Sequence, residues 1–209
     1  MGKLLIIISF LILINTSYSL PSDDIWIKIR KYSKENRTIT DIGGHYLFFD
    51  ESDYTQMAGN KTRKEALTSK LSQIFKDYDI NTYIFLVDNI DERIEHIENV
   101  AFHLEDYLRM RYDIYSSKSI IAVFSIETRR FSIITGRFVR KYILGYWEIY
   151  FMVGDIRQSL QNKQYYEFTS KFLENVLYYC HKHNVLFYAT LIFSFSMFAA
   201  LVLFAIFHR

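Results

Sequence analysis

Apolar and polar positions alternate with two different periods along the middle of the chain, and these periods predict most of its elements. Leu67, Leu71, Ile74, Phe75 and Tyr78 recur at helical spacing, with Lys64, Glu65, Lys70 and Lys76 on the rest of the turn. This pattern predicts an amphipathic helix over residues 62–78. The run TYIFLV at 82–87 is short, β-branched and aromatic, as a buried strand is. Asp91 then caps a second predicted helix whose apolar stripe is Ile94, Ile97, Ala101, Leu104 and Leu108.

Two strand patterns follow in close succession, SIIAVFSI at 119–126 and RFSIIT at 130–135, with only Glu127, Thr128 and Arg129 between them. That spacing predicts a hairpin. The first run is apolar almost throughout, which suits a central strand covered on both faces. Gly136 opens a turn into helical patterns at 138–144, 147–161 and 164–183, the last carrying Phe168, Phe172, Leu173 and Val176. The run 45–49 reads as an extra edge strand. The order predicts an α/β fold, a small mixed β-sheet flanked by helices, with a right-handed parallel crossover at the strand–helix–strand unit.

The ends of the chain are membrane chemistry. Residues 1–19 read as a signal peptide: Lys3 is the positive start, 4–14 are apolar, and Ser17 and Ser19 offer small residues for cleavage. An uncleaved anchor is the alternative, although the apolar run is short for a span of about 20 residues. Residues 185–207 carry no charge and are long enough to form a C-terminal transmembrane helix. Its rivals are a glycolipid-anchor signal, disfavoured by the bulky residues at 178–181, and a buried core helix. A cleaved signal places the N-terminus in the lumen, so the reading is a type I single-pass protein bound for the plasma membrane. The expected organisation is a luminal segment at 20–61, a domain at 62–184, the span at 185–207 and a cytosolic tail at 208–209.

The 209 residues are 50% hydrophobic and 18% aromatic, which excludes disorder and provides for a substantial core. Lys and Arg number 25 against 23 Asp and Glu, with no excess of basic charge for a nucleic acid. A single cysteine, Cys180, excludes an intrachain disulfide framework and a cysteine zinc site. It is either a buried thiol or a luminal one able to form an intermolecular disulfide. The triplets at Asn36 and Asn60 are glycosylation sequons, in keeping with a secretory route.

Asp50, Glu51 and Asp53 are a hard-oxygen cluster and the weak candidate for a metal, calcium being the ion such ligands suit. They lack the spacing of a dedicated calcium loop, and a solvated turn is the plainer reading. Arg129, Arg130, Arg137 and Arg140 are spaced to gather near the hairpin, either around a phosphate or as a solvated basic rim. His181 and His183 flank the span, Tyr178 and Tyr179 suit an interfacial aromatic belt, and Ser194, Ser196, Ala199 and Ala200 give the span a small-residue face.

The stretch 62–180 resembles the TPM domain, shared by thylakoid-lumen photosystem-repair proteins, bacterial envelope proteins and levamisole-receptor modulators of animals. The resemblance is carried by the helix KEALTSKLSQIF, the strand TYIFLVDNI, the block KSIIAVFSIETRRFSIITGRFVRKYI and the tail IRQSLQNKQYYEFTSKFLENVL. Arg129, Arg130 and Gly136 stand where the family has a basic turn, a glycine and then a helix. The acidic motif before the first helix is altered here to Phe48-Phe49-Asp50-Glu51-Ser52-Asp53, and the paired cysteines of animal members are absent. Signal, luminal domain, one span and a short tail resemble the levamisole-receptor-modulator branch. The resemblance implies a non-enzymatic auxiliary subunit of an acetylcholine-gated channel, without a cofactor. Through the thylakoid branch it implies, as the alternative, a membrane-tethered luminal acid phosphatase, calcium-dependent or not.

Overall fold

The computed structural model describes residues 20–32, 35, 37–41, 43–112 and 116–207, without the side chains of 116 and 202–207. The expected signal sequence, the sequon residue Asn36 and the tail at 208–209 lie outside the described residues. The elements are α1 (Pro21–Tyr32), β1 (Thr38–Thr40), β2 (Tyr46–Asp50), α2 (Lys61–Tyr78), β3 (Asn81–Val87) and α3 (Ile97–Tyr112). After these come β4 (Ser119–Ser125), β5 (Arg130–Thr135), α4 (Arg137–Tyr142), α5 (Tyr146–Gln161) and α6 (Tyr165–Phe207).

The five strands form one mixed sheet in the order β1-β2-β3-β4-β5, so the α/β architecture read from the sequence holds. β2, β3 and β4 are parallel, with Phe49 opposite Phe85 and Phe85 opposite Val123, while β1 and β5 are antiparallel edges. All residues of β3 and β4 are buried because helices cover both faces. Ile84, Leu86, Ala122 and Phe124 meet α2, α5 and α6 on one face. Tyr83, Phe85, Ile121 and Val123 meet α1 and α3 on the other.

Three expectations change. The run at 45–49 is not an edge strand: β2 lies inside the sheet and the three-residue β1 covers its flank. The segment expected to precede the domain therefore lies within its sheet. The helix expected to start at Asp91 starts at Ile97, because the Asp91 carboxylate accepts from the Arg93 amide and guanidinium and its carbonyl closes a turn with Ile94 and Glu95. Glu95 then turns inward, accepting hydrogen bonds from the Ser22 amide and hydroxyl at the start of α1.

The two parallel crossovers differ in hand. Both parallel crossovers, β2-α2-β3 and β3-α3-β4, step the same way across the sheet, yet their helices lie on opposite faces. The two crossovers therefore have opposite hand, and one departs from the right-handed rule. The arrangement spreads cover over both faces. With α5 and α6 already on the α2 side, α3 joins α1 on the other.

The C-terminal pattern, expected as one helix to 183 and a separate span from 185, is a single helix. No Gly or Pro interrupts 165–207, and α6 runs for 43 residues, about 65 Å at about 1.5 Å per residue. Its first half packs Phe168, Phe172, Leu173, Val176 and Cys180 onto the sheet, and beyond Asn184 its described apolar side chains are exposed. It is long and apolar enough to cross a membrane.

Candidate functional site

In an open α/β sheet, ligand sites form beyond the carboxyl ends of the parallel strands. Here that edge is built from the turn after β2, the turn after β3 and the β4–β5 hairpin. The expected acidic cluster lies on it, but its carboxylates point apart. Asp50 is fully buried, and its two oxygens accept from the Tyr54 amide (2.8 Å), the Thr55 amide (2.8 Å) and the Thr55 hydroxyl (2.7 Å). Glu51, 6% exposed, accepts from Lys28 Nζ and from the Asp88 amide at 2.9 Å. Asp53 adopts a left-handed backbone (φ 52°) and accepts from the Ala58 amide at 3.0 Å. No group of three or more acidic, histidine or cysteine side chains is placed to hold a metal among the described residues. The solvated-turn reading is corrected as well: Asp50 and Glu51 are buried staples that tie the turn to α1 and β3.

The electrostatics follow from this wiring. Burial pushes the Asp50 carboxyl above its ordinary value, against the lowering effect of the Thr55 and Tyr54 bonds. Partial burial opposes the charge on Lys28, but its bond to Glu51 and the surrounding carboxylates outweigh this and raise its pKa. Burial, then the hydrogen bond it donates to Asp88, raises the Tyr54 hydroxyl. Ser52 Oγ donates to the other Asp88 oxygen at 2.9 Å, so this carboxylate is also occupied.

The four arginines separate into two pairs. Arg129 and Arg130 stand at the hairpin tip, whereas Arg137 and Arg140 line a groove beside Gly136 at the other end of β5. The expected gathering of all four does not occur, because the strand between them is six residues long. Arg130 is paired with Glu92. Arg129, held at φ 55°, instead meets Arg157 of α5 on one cleft of about 340 Å³. Its floor is Phe124, Phe131, Ile156 and Phe168, with Gln161 at the side, and no serine, cysteine or histidine lines it. Neither guanidinium has a hydrogen bond or ion pair among the described residues. A second hollow continues from it past Glu127, Tyr54 and Tyr165. Arg157 carried no motif, and only its position opposite the hairpin identifies it.

Cys180 is fully buried between α6 and the sheet, and burial pushes its thiol up to about 12. An intermolecular disulfide there is therefore corrected to a core thiol, since the thiolate is the reactive form. A thiol-reactive dye is expected to label Cys180 slowly in the folded protein and at the free-thiol rate in denaturant; equal rates would contradict this placement. Asn60 is exposed and caps α2, its Oδ1 accepting from the Arg63 amide at 3.1 Å. His183 packs on Phe138 and Tyr142 of α4, while His181 is exposed.

No family model matches the chain, and no curated protein matches it. Among solved structures, the chain is similar to the solution NMR structure of the N-terminal domain of a protein from P. gingivalis. Identity is 13% over 73% of this chain and 86% of that chain, with a TM-score of 0.49.

Proposed function

We propose that this chain is a single-pass membrane protein whose extracellular domain binds and modulates a larger membrane complex. The most concrete partner is an acetylcholine-gated channel, with this chain as an auxiliary subunit. The observation that carries the reading is the cleft of Arg129 and Arg157 over an aromatic floor. It lies where α5 ends and α6 begins, lined by Gln161 and Phe168, whereas the apolar half of α6 lies at the other end of that helix. Two free guanidiniums above apolar surface recognise an acidic group set among apolar side chains, as a partner loop presents. The resemblance to the receptor-modulator branch, the type I layout expected from the signal and a domain fixed rigidly to its span support the same reading.

Modulation follows if the cleft binds one conformation of the partner better than another and so shifts its population. A difference of about 1.4 kcal/mol moves that equilibrium about tenfold. The test is recovery of the tagged full-length chain from native membranes in mild detergent. A channel subunit is expected to accompany it, and the double variant Arg129→Glu, Arg157→Glu, which reverses both charges of the cleft, is expected to lose most of that recovery. Both side chains are exposed, so the variant keeps the fold. A preparation without any membrane partner, or a double variant that recovers it unchanged, would overturn the proposal.

A further inference from the structure

The outer face of α5 is aromatic where it meets α4. Tyr142, Tyr146, Trp147, Tyr150 and Phe151 are all exposed, Trp147 to 64%, while Met152, Ile156 and Ser159 turn to the core. A contiguous exposed patch of this kind marks a surface that meets a partner or a membrane. Their height along α6 is known from contacts. The Tyr142 ring lies 5.9 Å from His183, which also meets Phe138 of α4. His183 precedes residue 185 by two positions, which puts Tyr142 and the adjoining start of α5 about 3 Å above the start of the apolar run. Headgroups occupy about 5–8 Å on each side of the hydrocarbon.

We propose that this aromatic face of α4 and α5 beds in the headgroup region of the same bilayer that α6 crosses, bracing the domain on the membrane beside its span. The inference rests on reading residues 185–207 as a span. Lipid is the occupant because the face continues directly into that span through α6, which is helical without a break. Tyrosine and tryptophan are the side chains that favour this boundary, an apolar ring with one polar edge. Lys141 lies over the Tyr142 ring and Lys182 over Tyr179, so ammonium groups stand at the same level for lipid phosphates. The half-buried Glu148 and the exposed Asp155, a turn beyond Phe151, are the acidic groups of α5.

The length of the span acts in the same direction. Residues 185–207 extend for about 35 Å against about 30 Å of hydrocarbon, so the helix tilts. Interfacial aromatic anchors set the direction of such a tilt, and here they lie on the α5 side, which a tilt lowers into the lipid.

Two tryptophans make the test direct, because Trp26 is buried between α1 and α3 and only Trp147 is exposed. The full chain is reconstituted in phosphatidylcholine vesicles, in one set brominated on the upper acyl carbons. The Trp26→Phe chain, emitting from Trp147 alone, is expected to lose more than half its fluorescence in the brominated set and to resist aqueous iodide. The Trp147→Phe chain, emitting from Trp26, is expected to be indifferent to bromine. If Trp26→Phe does not fold, the unaltered chain compared with Trp147→Phe gives the same readout. Flotation with the vesicles through alkaline carbonate reports the span separately. A chain that floats while Trp147 is unquenched by bromine and open to iodide overturns the brace and leaves the span standing. A chain that does not float overturns the span reading and the brace with it.

Discussion

A chain of residues 20–184 is expected to fold in solution, whereas one of residues 20–164 is expected to remain unfolded. The difference is the first half of α6. It buries Phe168, Phe172, Leu173, Val176 and Cys180 to 1% exposure or less against the sheet. Phe124 of β4 meets Phe168 and Phe172 edge-on, with ring centroids 4.8 and 5.7 Å apart. At about 1.5–3 kcal/mol for each large apolar side chain, this half-helix rivals the whole stability of a domain, about 5–15 kcal/mol. Circular dichroism and a cooperative urea transition distinguish the two chains. A cooperative transition in the shorter one would show that α6 is an appendage and not part of the core. The functional consequence is mechanical: a helix that belongs to the core holds the domain at a fixed attitude to its apolar half.

Removing the Asp50 carboxylate is expected to cost about 3 kcal/mol, because Asp50→Ala leaves the Tyr54 amide, the Thr55 amide and the Thr55 hydroxyl without their acceptor in a buried turn. The pH dependence carries a distinctive sign. The folded-state pKa of Asp50 is raised from 3.8, so folding binds a proton more tightly than the unfolded chain does. Its contribution is fully present below about 3.8 and is lost as pH rises through the raised value, opposite to an ion-paired carboxylate. Urea midpoints of the 20–184 chain and of Asp50→Asn, compared across acidic pH, test this. The advantage of the native residue over asparagine is expected to be largest at the acid end. An advantage that grows with pH would mean that the carboxylate is held by a cation instead.

The elements legible in the sequence were those that carry their own period. The helix α2 shows its stripe, and the expected 62–78 differs from the observed Lys61–Tyr78 by one residue; the Asn60 cap and the left-handed Asp79 (φ 56°) that end it were added by the structure. β3 and β4 were legible as continuous apolar runs, and the β4–β5 hairpin follows from the three residues, Glu127 to Arg129, that separate the two strand patterns. The apolar stretch at 185–207 needs no partner to be recognised, because its length and lack of charge are local properties.

What was hidden depended on partners distant in sequence. β1 is too short to show a period and exists because β2 offers it Phe48 and Phe49 as register neighbours. The carboxylates of Asp50 and Glu51 read as a solvated turn because side-chain burial is set by Lys28, Thr55 and Asp88, which no local spacing reveals. Arg157 looked like one more exposed helical charge until the fold set it across a cleft from Arg129.

Composition and periodicity thus settle the α/β class, most helices and strands, and the presence of one membrane-length helix, since each depends on near neighbours. The face each helix covers, the opposite hands of the two crossovers, the single helix joining core to apolar half and the pairing of two arginines over aromatic rings are properties of packing. They are decided by which surfaces must be hidden from water together, and that condition is met only when the whole chain has closed.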